Sequence, residues 1–593
     1  MVLTVLGLVA LLAPFLALKK FKDLKVGFFY ILLFIFFLQL IIALATQALH
    51  LFTYQVILSF NTLVFFACLF FFRPFRPDLK LLAKKIDLFL IYVVLISGTA
   101  LYMVHYHYTG FYSTTTNLST ETKRPLNYPY PYFSDEWYSI AFIKDAIATH
   151  SLPVRDPIWH GPFTNLEIAF HSLLSEFIVI LNLNPLTGYV ILSIVMNTLI
   201  ITLLYLFLAI NKVKKLQSAI ISLSALYIVN TSLIPGLWTL IPLSLGIIFL
   251  LLSIAFYYLE RKKMFLLASF LTLIFYTPLI LLIIVMMVSQ LYKKPYGKSL
   301  KIFVLYMLTV IISGGLISSV FLFDRFTPGQ IFELIMHKFI YDSYVGSDFI
   351  FTFPIYFAIP IPILLLATVG LPALYKEKRA LAAMVGISLL FWAFYSFTSY
   401  SFIIELERIV IVASILLVLA AGFGLKKIFD TVEKFEGFKN NWDFLYLQYI
   451  FLFLFIPLLL FYTGSDAWKH FTGKSPFMVA HNLPLANRFL DPEDLRLFTG
   501  IKNARFLSSP WKGTVISVAT NNVPLTIKSG TISGSIPDYQ EQFRNFSCKE
   551  KQGFVKLYNL SYVYIPSLVI DCPMFQLKGV SAEGIMLYKT NLN

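Results

Sequence analysis

Two adjacent acids, Asp135 and Glu136, stand in a stretch rich in proline and tyrosine that runs Tyr128-Pro-Tyr-Pro-Tyr-Phe-Ser-Asp-Glu-Trp-Tyr138. A carboxylate next to a low-dielectric membrane edge gains basicity by desolvation and can take the proton of an acceptor hydroxyl. The same residues can also simply start a helix, with Ser134 or Asp135 as its cap and Glu136 in its first turn. One side chain can do both. Downstream, Leu152-Pro-Val-Arg155-Asp156-Pro157 and Trp159-His160-Gly161-Pro162-Phe163 add a second acid and an imidazole. Asp156 and His160 are residue types that hold a divalent metal, but Asp-Pro is also a common turn starter, and His160 and His171 show no ligand-type spacing. Arg408 has Glu405 and Glu407 beside it and can pair locally. The tyrosines and tryptophans around the acids suit stacking on sugar faces, and suit an interfacial belt just as well.

The elements that must position these residues are apolar. Of 593 residues, 58% are hydrophobic, 17% aromatic and only 13% charged, with a mean hydropathy of +0.77. That excludes an ordinary soluble enzyme and a disordered chain. The net charge of +16 gathers in seven basic clusters, at 19–22, 73–85, 212–215, 261–263, 293–301, 376–379 and 426–427. Such clusters mark cytoplasmic loops beside an anionic leaflet rather than a nucleic-acid surface. A crossing needs about 20 apolar residues, and with all seven clusters on one side the spans fall into pairs. These are 26–48 with 52–72, 86–104 with 187–210, and 216–234 with 238–259 across Pro235-Gly236.

Residues 264–292 are too many for one span and too few for two, with Thr277-Pro278 in the middle, so the reading is two short helices meeting inside the protein. Further spans fall at 300–323, 355–375, 380–402, 408–425 and 444–463, and residues 2–18 read as a span rather than a cleaved leader. The expectation is an α-helical, multi-pass transmembrane bundle of about 12 full spans plus the short hairpin. Residues 1–85 supply extra N-terminal spans. Residues 86–463 form the main membrane module, with outer loops at 105–185 and 324–353. Residues 464–593 form a small extracytoplasmic α/β domain. Within that domain 491–494 reads as a helix start, and 513–519 and 560–565 as strands. Cys548 and Cys572 fall there and either pair or remain two thiols. Asn117, Asn545 and Asn559 each begin an Asn-X-Ser acceptor pattern. The segment 324–353, with Asp324-Arg325 and Glu333 to Lys338, has the length and mixed charge of a lid. The spans carry almost no mid-membrane charge, which weighs against a transporter.

Asp135-Glu136 before a helix, the Pro-containing segment after it, an interfacial helix returning to the membrane, and the short hairpin near 265–288 together resemble the GT-C superfamily. So does the span Glu407-Arg408-Ile-Val-Ile-Val-Ala-Ser-Ile-Leu-Leu-Val-Leu-Ala-Ala-Gly-Phe-Gly424. These polyprenyl-phosphate-dependent membrane glycosyltransferases include protein O-mannosyltransferases, the aminoarabinose transferases of lipid A and the catalytic subunit of oligosaccharyltransferase. The likeness in layout spans most of 86–463, and its motif-like residues are Asp135-Glu136 and Arg408. A Lys-Pro-Pro segment is replaced by Gly161-Pro162-Phe163-Thr164-Asn165, a Trp-Trp-Asp motif is absent, and three extra spans come first.

The resemblance implies an inverting glycosyltransferase of the plasma membrane working on its extracytoplasmic face. The donor would be a polyprenyl-phosphate-linked sugar, and the acceptor a hydroxyl or amide on a glycan, lipid or protein. It makes Asp135 the base and gives Glu136 an orienting, donor-binding or metal-binding role. Arg408 would hold the donor phosphate, seconded by Arg155, Arg325 and Lys338, and Asp156 with His160 would hold any divalent metal. Rival classes are a transporter or flippase of lipid-linked glycans, and a non-catalytic membrane assembly partner.

Overall fold

The computed structural model describes residues 2–21, 23–72, 87–106, 111–113, 121–123, 130–131, 134–158, 165, 167–228, 236–291, 301, 305, 340–341, 358–398, 400–433, 446, 450, 454, 490, 492–527, 539–566, 568–581 and 584–591. The chain opens with α1 (Val2–Leu12), α2 (Leu24–Ala48), α3 (Tyr54–Phe72) and α4 (Leu88–Tyr106), followed by a two-stranded pair, β1 (Phe111–Ser113) and β2 (Glu121–Lys123). Next come α5 (Ser134–Thr149), α6 (Ile168–Ile180), α7 (Pro185–Ile210), α8 (Lys215–Leu223), α9 (Pro242–Tyr258), α10 (Lys262–Phe275) and α11 (Ile280–Leu291). A second small pair, β3 (Ile340–Tyr341) with β4 (Ser401–Phe402), flanks α12 (Ile361–Glu377) and α13 (Arg379–Thr398), and α14 (Leu406–Val432) closes the bundle.

Among the described residues, five helices are long and apolar enough to cross a membrane: Leu24–Ala48, Tyr54–Phe71, Pro185–Ile210, Arg379–Thr398 and Leu406–Val432. The expected spans at 2–18, 86–104 and 238–259 hold shorter apolar helices, and the described part of 216–234 is the nine-residue α8 followed by a 3-10 turn, Ser224–Tyr227. The expected break at Thr277-Pro278 is present. Helix α10 ends at Phe275, a 3-10 turn covers Thr277–Leu279, and α11 follows. Proline lacks an N–H and its ring crowds the preceding turn, so one continuous helix is disfavoured there. The expected spans at 300–323 and 444–463, and the outer segment 324–353, fall almost wholly outside the described residues.

Ion pairs at the helix ends show which loops share a side. Asp87, which precedes α4, lies 3.5 Å from both Lys25 of α2 and Lys215 of α8. Lys214 pairs with Glu433 at 3.7 Å, Lys426 pairs with Glu377 at 3.6 Å, and Tyr258 donates to the Lys378 carbonyl at 3.2 Å. The basic clusters at 212–215, 376–379 and 426–427 therefore meet at one end of the bundle. Helix α14 runs from that end to Arg408 in its first turn, about 27 Å away at the α-helical rise and close to one bilayer core.

Close backbone contact fixes α14 in place. A Cβ on Gly370 of α12 would collide with the Ala420 carbonyl, and one on Gly424 would collide with the Leu366 carbonyl. The run Ala420-Ala-Gly-Phe-Gly424 is small because a neighbouring helix lies directly on it, which is how apolar helices associate in lipid.

The C-terminal part comprises α15 (Pro492–Leu497), β5 (Arg505–Leu507), α16 (Pro510–Thr520), β6 (Val523–Pro524), α17 (Tyr539–Asn545), α18 (Cys548–Tyr558), β7 (Tyr562–Pro566), β8 (Phe575–Val580) and β9 (Ile585–Thr590). The sheet order is β6-β5-β7-β9-β8, parallel at β5–β6 and β5–β7 and antiparallel at β7–β9 and β8–β9. Strand alternation divides its two faces. Phe506, Tyr564, Ile585 and Leu587 join the core that continues into the helical bundle, whereas Leu507, Val563, Ile565 and Tyr588 pack under α18. The stretch 513–519, read from its β-branched residues as a strand, is helical within α16. Its ends explain the reversal: Ser509 accepts from the Lys512 N–H, Pro510 starts the helix, and Asn521 ends it in the left-handed region. Cys548 and Cys572 form a disulfide, with their Cα atoms 5.8 Å apart.

Candidate active site

Asp135 lies in the first turn of α5 and Arg408 in the first turn of α14. The Arg408 Nη2 donates to Asp135 Oδ2 at 3.0 Å, and its Nε lies 3.4 Å from Glu405 Oε2. Two residues 273 positions apart thus meet at the bundle end opposite the basic clusters. The Asp135 side chain is 31% exposed and that of Arg408 14%, so the pair sits at the rim rather than inside the core. The local pairing expected of Arg408 is present with Glu405, and a long-range pair with Asp135 adds to it.

Glu136 turns the other way. It is 1% exposed, and its Oε1 accepts the Leu240 N–H at 2.8 Å, just ahead of α9. The loop it grips is held from several sides. Tyr189 donates to the Leu240 carbonyl, Ser193 to that of Trp238 at 3.1 Å, and Asn197 to that of Thr239 at 3.0 Å, while a ring nitrogen of His105 lies 3.0 Å from the Trp238 carbonyl. A buried acid that receives a backbone N–H is an anchor. Glu136 locks the start of α5 to the bundle and so fixes where Asp135 points.

Tyr138 is one turn further along α5. Burial first, and then the adjoining Asp156 carboxylate, raise its pKa and keep the phenol protonated, so it donates to Asp156 Oδ2. The other oxygen of Asp156 accepts from the Ile158 N–H at 2.8 Å, the turn that Asp-Pro suggested. His171 is buried beside Ser139 and Asn165, with ring-nitrogen distances of 3.3 and 3.1 Å, and stacks on Phe142 at 4.7 Å. It acts as a packed bridge between α5 and α6. Arg155 is exposed. Arg325, Lys338 and His160 lie outside the described residues. Among the described residues, no three His, Cys, Asp or Glu side chains group as a metal site.

Two features escape a reading of the sequence alone. Lys144, two turns beyond Asp135 on α5, donates to the Val518 carbonyl at 2.6 Å and to Asn521 Oδ1 at 2.7 Å, capping the C-terminal end of α16. Burial pushes its pKa down. Through this contact the C-terminal part rests on the acid-bearing helix. The second feature is Glu176, which is wholly buried on α6 with Asn61 of α3 and Gln39 of α2. Asn61 Nδ2 donates to the Ile57 carbonyl at 3.0 Å and to Glu176 Oε1 at 3.4 Å, and its Oδ1 accepts from the Gln39 amide at 2.7 Å. Its signal is one acid inside the apolar run Phe170 to Leu181, within the segment 105–185 that reads as an outer loop.

No family model matches the chain. No curated protein matches it. Among solved structures, the chain is similar to the Archaeoglobus fulgidus oligosaccharyltransferase in its apo form, with 10% identity and a TM-score of 0.46 over 80% of this chain and 69% of that one. A second structure is the archaeal oligosaccharyltransferase AglB from the same organism with an inhibitory peptide and a dolichol-phosphate, at 11% identity and a TM-score of 0.45 over 85% and 74%. A third is its complex with Zn and sulfate, at 12% identity and a TM-score of 0.45 over 84% and 74%.

Proposed function

We propose that this chain is an integral-membrane glycosyltransferase of GT-C type. It moves a sugar from a polyprenyl-phosphate carrier to an acceptor hydroxyl or amide on a glycan, lipid or protein. The observation that carries this reading is the meeting of Asp135 and Arg408, 3.0 Å apart, at the end of the bundle away from the basic loops. Lys- and Arg-rich loops face the cytoplasm, so the reading puts the pair on the extracytoplasmic face of the plasma membrane, at the depth of a lipid phosphate.

In the proposed step Asp135 takes the acceptor proton as the acceptor oxygen or nitrogen bonds to the anomeric carbon. The bond from that carbon to the phosphate oxygen breaks with inversion, and polyprenyl phosphate leaves with the electron pair. The charge growing on the phosphate is met by the Arg408 guanidinium, a fork suited to two phosphate oxygens. Arg155, Arg325 and Lys338 are secondary cations in this reading. Glu136 acts through its grip on Leu240 as a positioning residue. Asp156, which accepts from Tyr138 and from the Ile158 N–H, keeps a lone pair on each oxygen and could take part in holding a divalent metal. No step is routed through one.

The test is transfer of radiolabelled hexose from a polyprenyl-phosphate-hexose panel by the protein in nanodiscs. Asp135→Asn lowers turnover by about 100-fold or more, the range of a lost general base, with the thermal midpoint unchanged. Wild-type transfer by that variant refutes the assignment.

A further inference from the structure

In this structure the proposed base and the proposed phosphate ligand are already bound to each other. Arg408 gives Nη2 to Asp135 and Nε to Glu405, so two of the three guanidinium nitrogens that a phosphate would approach already face carboxylates. A carboxylate held by a guanidinium is also a poorer proton acceptor than a released one.

Resting on the glycosyltransferase reading, we propose that the Asp135–Arg408 pair is a donor-operated latch. The incoming phosphate displaces Asp135 from Arg408, so that the base is freed only when a sugar donor is in place. Several features of the pair suit it to exchange. Each partner sits in the first turn of its own helix, so a side-chain rotation separates them without moving either helix. The start of α5 is fixed independently by Glu136 on Leu240, and Lys144 is anchored two turns on. Release of Arg408 therefore leaves the Asp135 backbone where it was. Partial exposure lets the phosphate reach the guanidinium, and Glu405 keeps Arg408 tethered at the rim during the exchange. Without donor, the paired acid is withheld from water and stray acceptors. After transfer, the polyprenyl phosphate product carries one more negative charge than the donor diester. It competes best of all for Arg408, so its departure is what resets the latch.

Linkage gives the test, because two ligands that exclude each other at one site must each weaken the other's binding. The measurement is equilibrium binding of farnesyl phosphate, and separately of inorganic phosphate, to the full chain in nanodiscs. Asp135→Asn removes the competing charge and binds farnesyl phosphate about 2- to 5-fold more tightly than wild type, the worth of a partly exposed ion pair. Glu405→Gln shifts affinity the same way by less, and Arg408→Gln weakens it below wild type. If Asp135→Asn binds farnesyl phosphate no better than wild type, or if the gain appears with inorganic phosphate alone, the latch is wrong. Should Asp135→Asn not fold, Glu405→Gln is expected to shift affinity in the same direction, and no gain in that variant equally refutes the latch. Transfer separates the two ideas. Lost transfer without tighter binding refutes the latch and leaves the base in place, whereas tighter binding with full transfer refutes the base.

Discussion

Glu176 and Asp135 are both carboxylates that a helix carries to a polar partner from a distant part of the chain, but they sit in opposite settings. Glu176 is wholly buried where α2, α3 and α6 meet, and it accepts from the neutral amide of Asn61, which in turn accepts from Gln39. Asp135 is a third exposed at the bundle's end, and its partner is a guanidinium. Amides around a buried acid satisfy hydrogen bonds that nothing else there could supply, so that network has no cheaper arrangement to move to. A rim ion pair can trade its partner for water or for another anion at small cost. The contrast teaches that the interior acid ties α6 to α3 and α2 through a fixed polar network, whereas the rim acid holds a partner that it can exchange. An ionisable group among apolar helices usually signals function. Here the three-helix network gives Glu176 a structural reason to exist.

Breaking that contrast starts with Glu176. Replacing it with alanine leaves Asn61 short of a partner inside the bundle and costs about 1–3 kcal/mol, read as a lowered unfolding midpoint in detergent. Glu176→Gln keeps an acceptor and a polar side chain and recovers most of that loss. Glycosyl transfer by the glutamine variant stays near wild type. If Glu176→Gln is stable but inactive, Glu176 is a second functional acid and the division between rim and interior fails.

A smaller effect is expected at Lys144, where the comparison can be sharpened. Its ammonium caps α16 through Val518 and Asn521, joining the sheet-bearing part to the helix that carries Asp135. Lys144→Met keeps the apolar stem and removes the cap, at about 0.5–1 kcal/mol for charge at a helix C-terminus. The expected readout is faster proteolysis of the C-terminal part, with farnesyl phosphate affinity unchanged because Arg408 is untouched. Reduced affinity in this variant would mean that the rim pair depends on the C-terminal part for its geometry.

Much of this arrangement could be read from residue order. The acids opening α5, the break at Thr277-Pro278 and the gathering of lysine clusters at one end each follow from local chemistry: a cap signal, a missing N–H, a charge asymmetry. What escaped depended on partners distant in sequence. Glu136 looks like a twin of Asp135, but successive helical residues point about 100° apart, so one faces the rim and the other faces Leu240. The stretch 513–519 looks like a strand because Thr514, Val515, Ile516 and Val518 are β-branched. Its caps at Ser509 and Asn521 and its burial against the bundle outweigh that preference. The run 216–234 is apolar enough for a span, yet the helix changes to a 3-10 turn after Leu223, and composition does not record that.

A third acid extends the same scale to full exposure and carries the smallest effect. Glu550 closes a capping box on α18, accepting from the Ser547 N–H and hydroxyl at 2.7 Å each, while its own N–H donates to Ser547 Oγ at 3.4 Å. The Ser547 donors favour the charged carboxylate, so its pKa in the folded chain lies below the ordinary value. The folded state therefore binds that proton less readily than the unfolded chain. The cap's contribution is fully present above the unfolded pKa and fades as pH falls through the lower, folded one. Lowering pH from about 6 to about 3 should loosen α18 slightly, seen as faster amide exchange at Cys548 to Lys551, next to the disulfide. Glu550→Gln should remove that pH dependence while leaving the neutral-pH fold intact. If exchange there is flat in wild type over the same range, the box does not hold α18 in solution. A fully exposed acid would then add nothing to the stability of α18, even with both Ser547 donors in place.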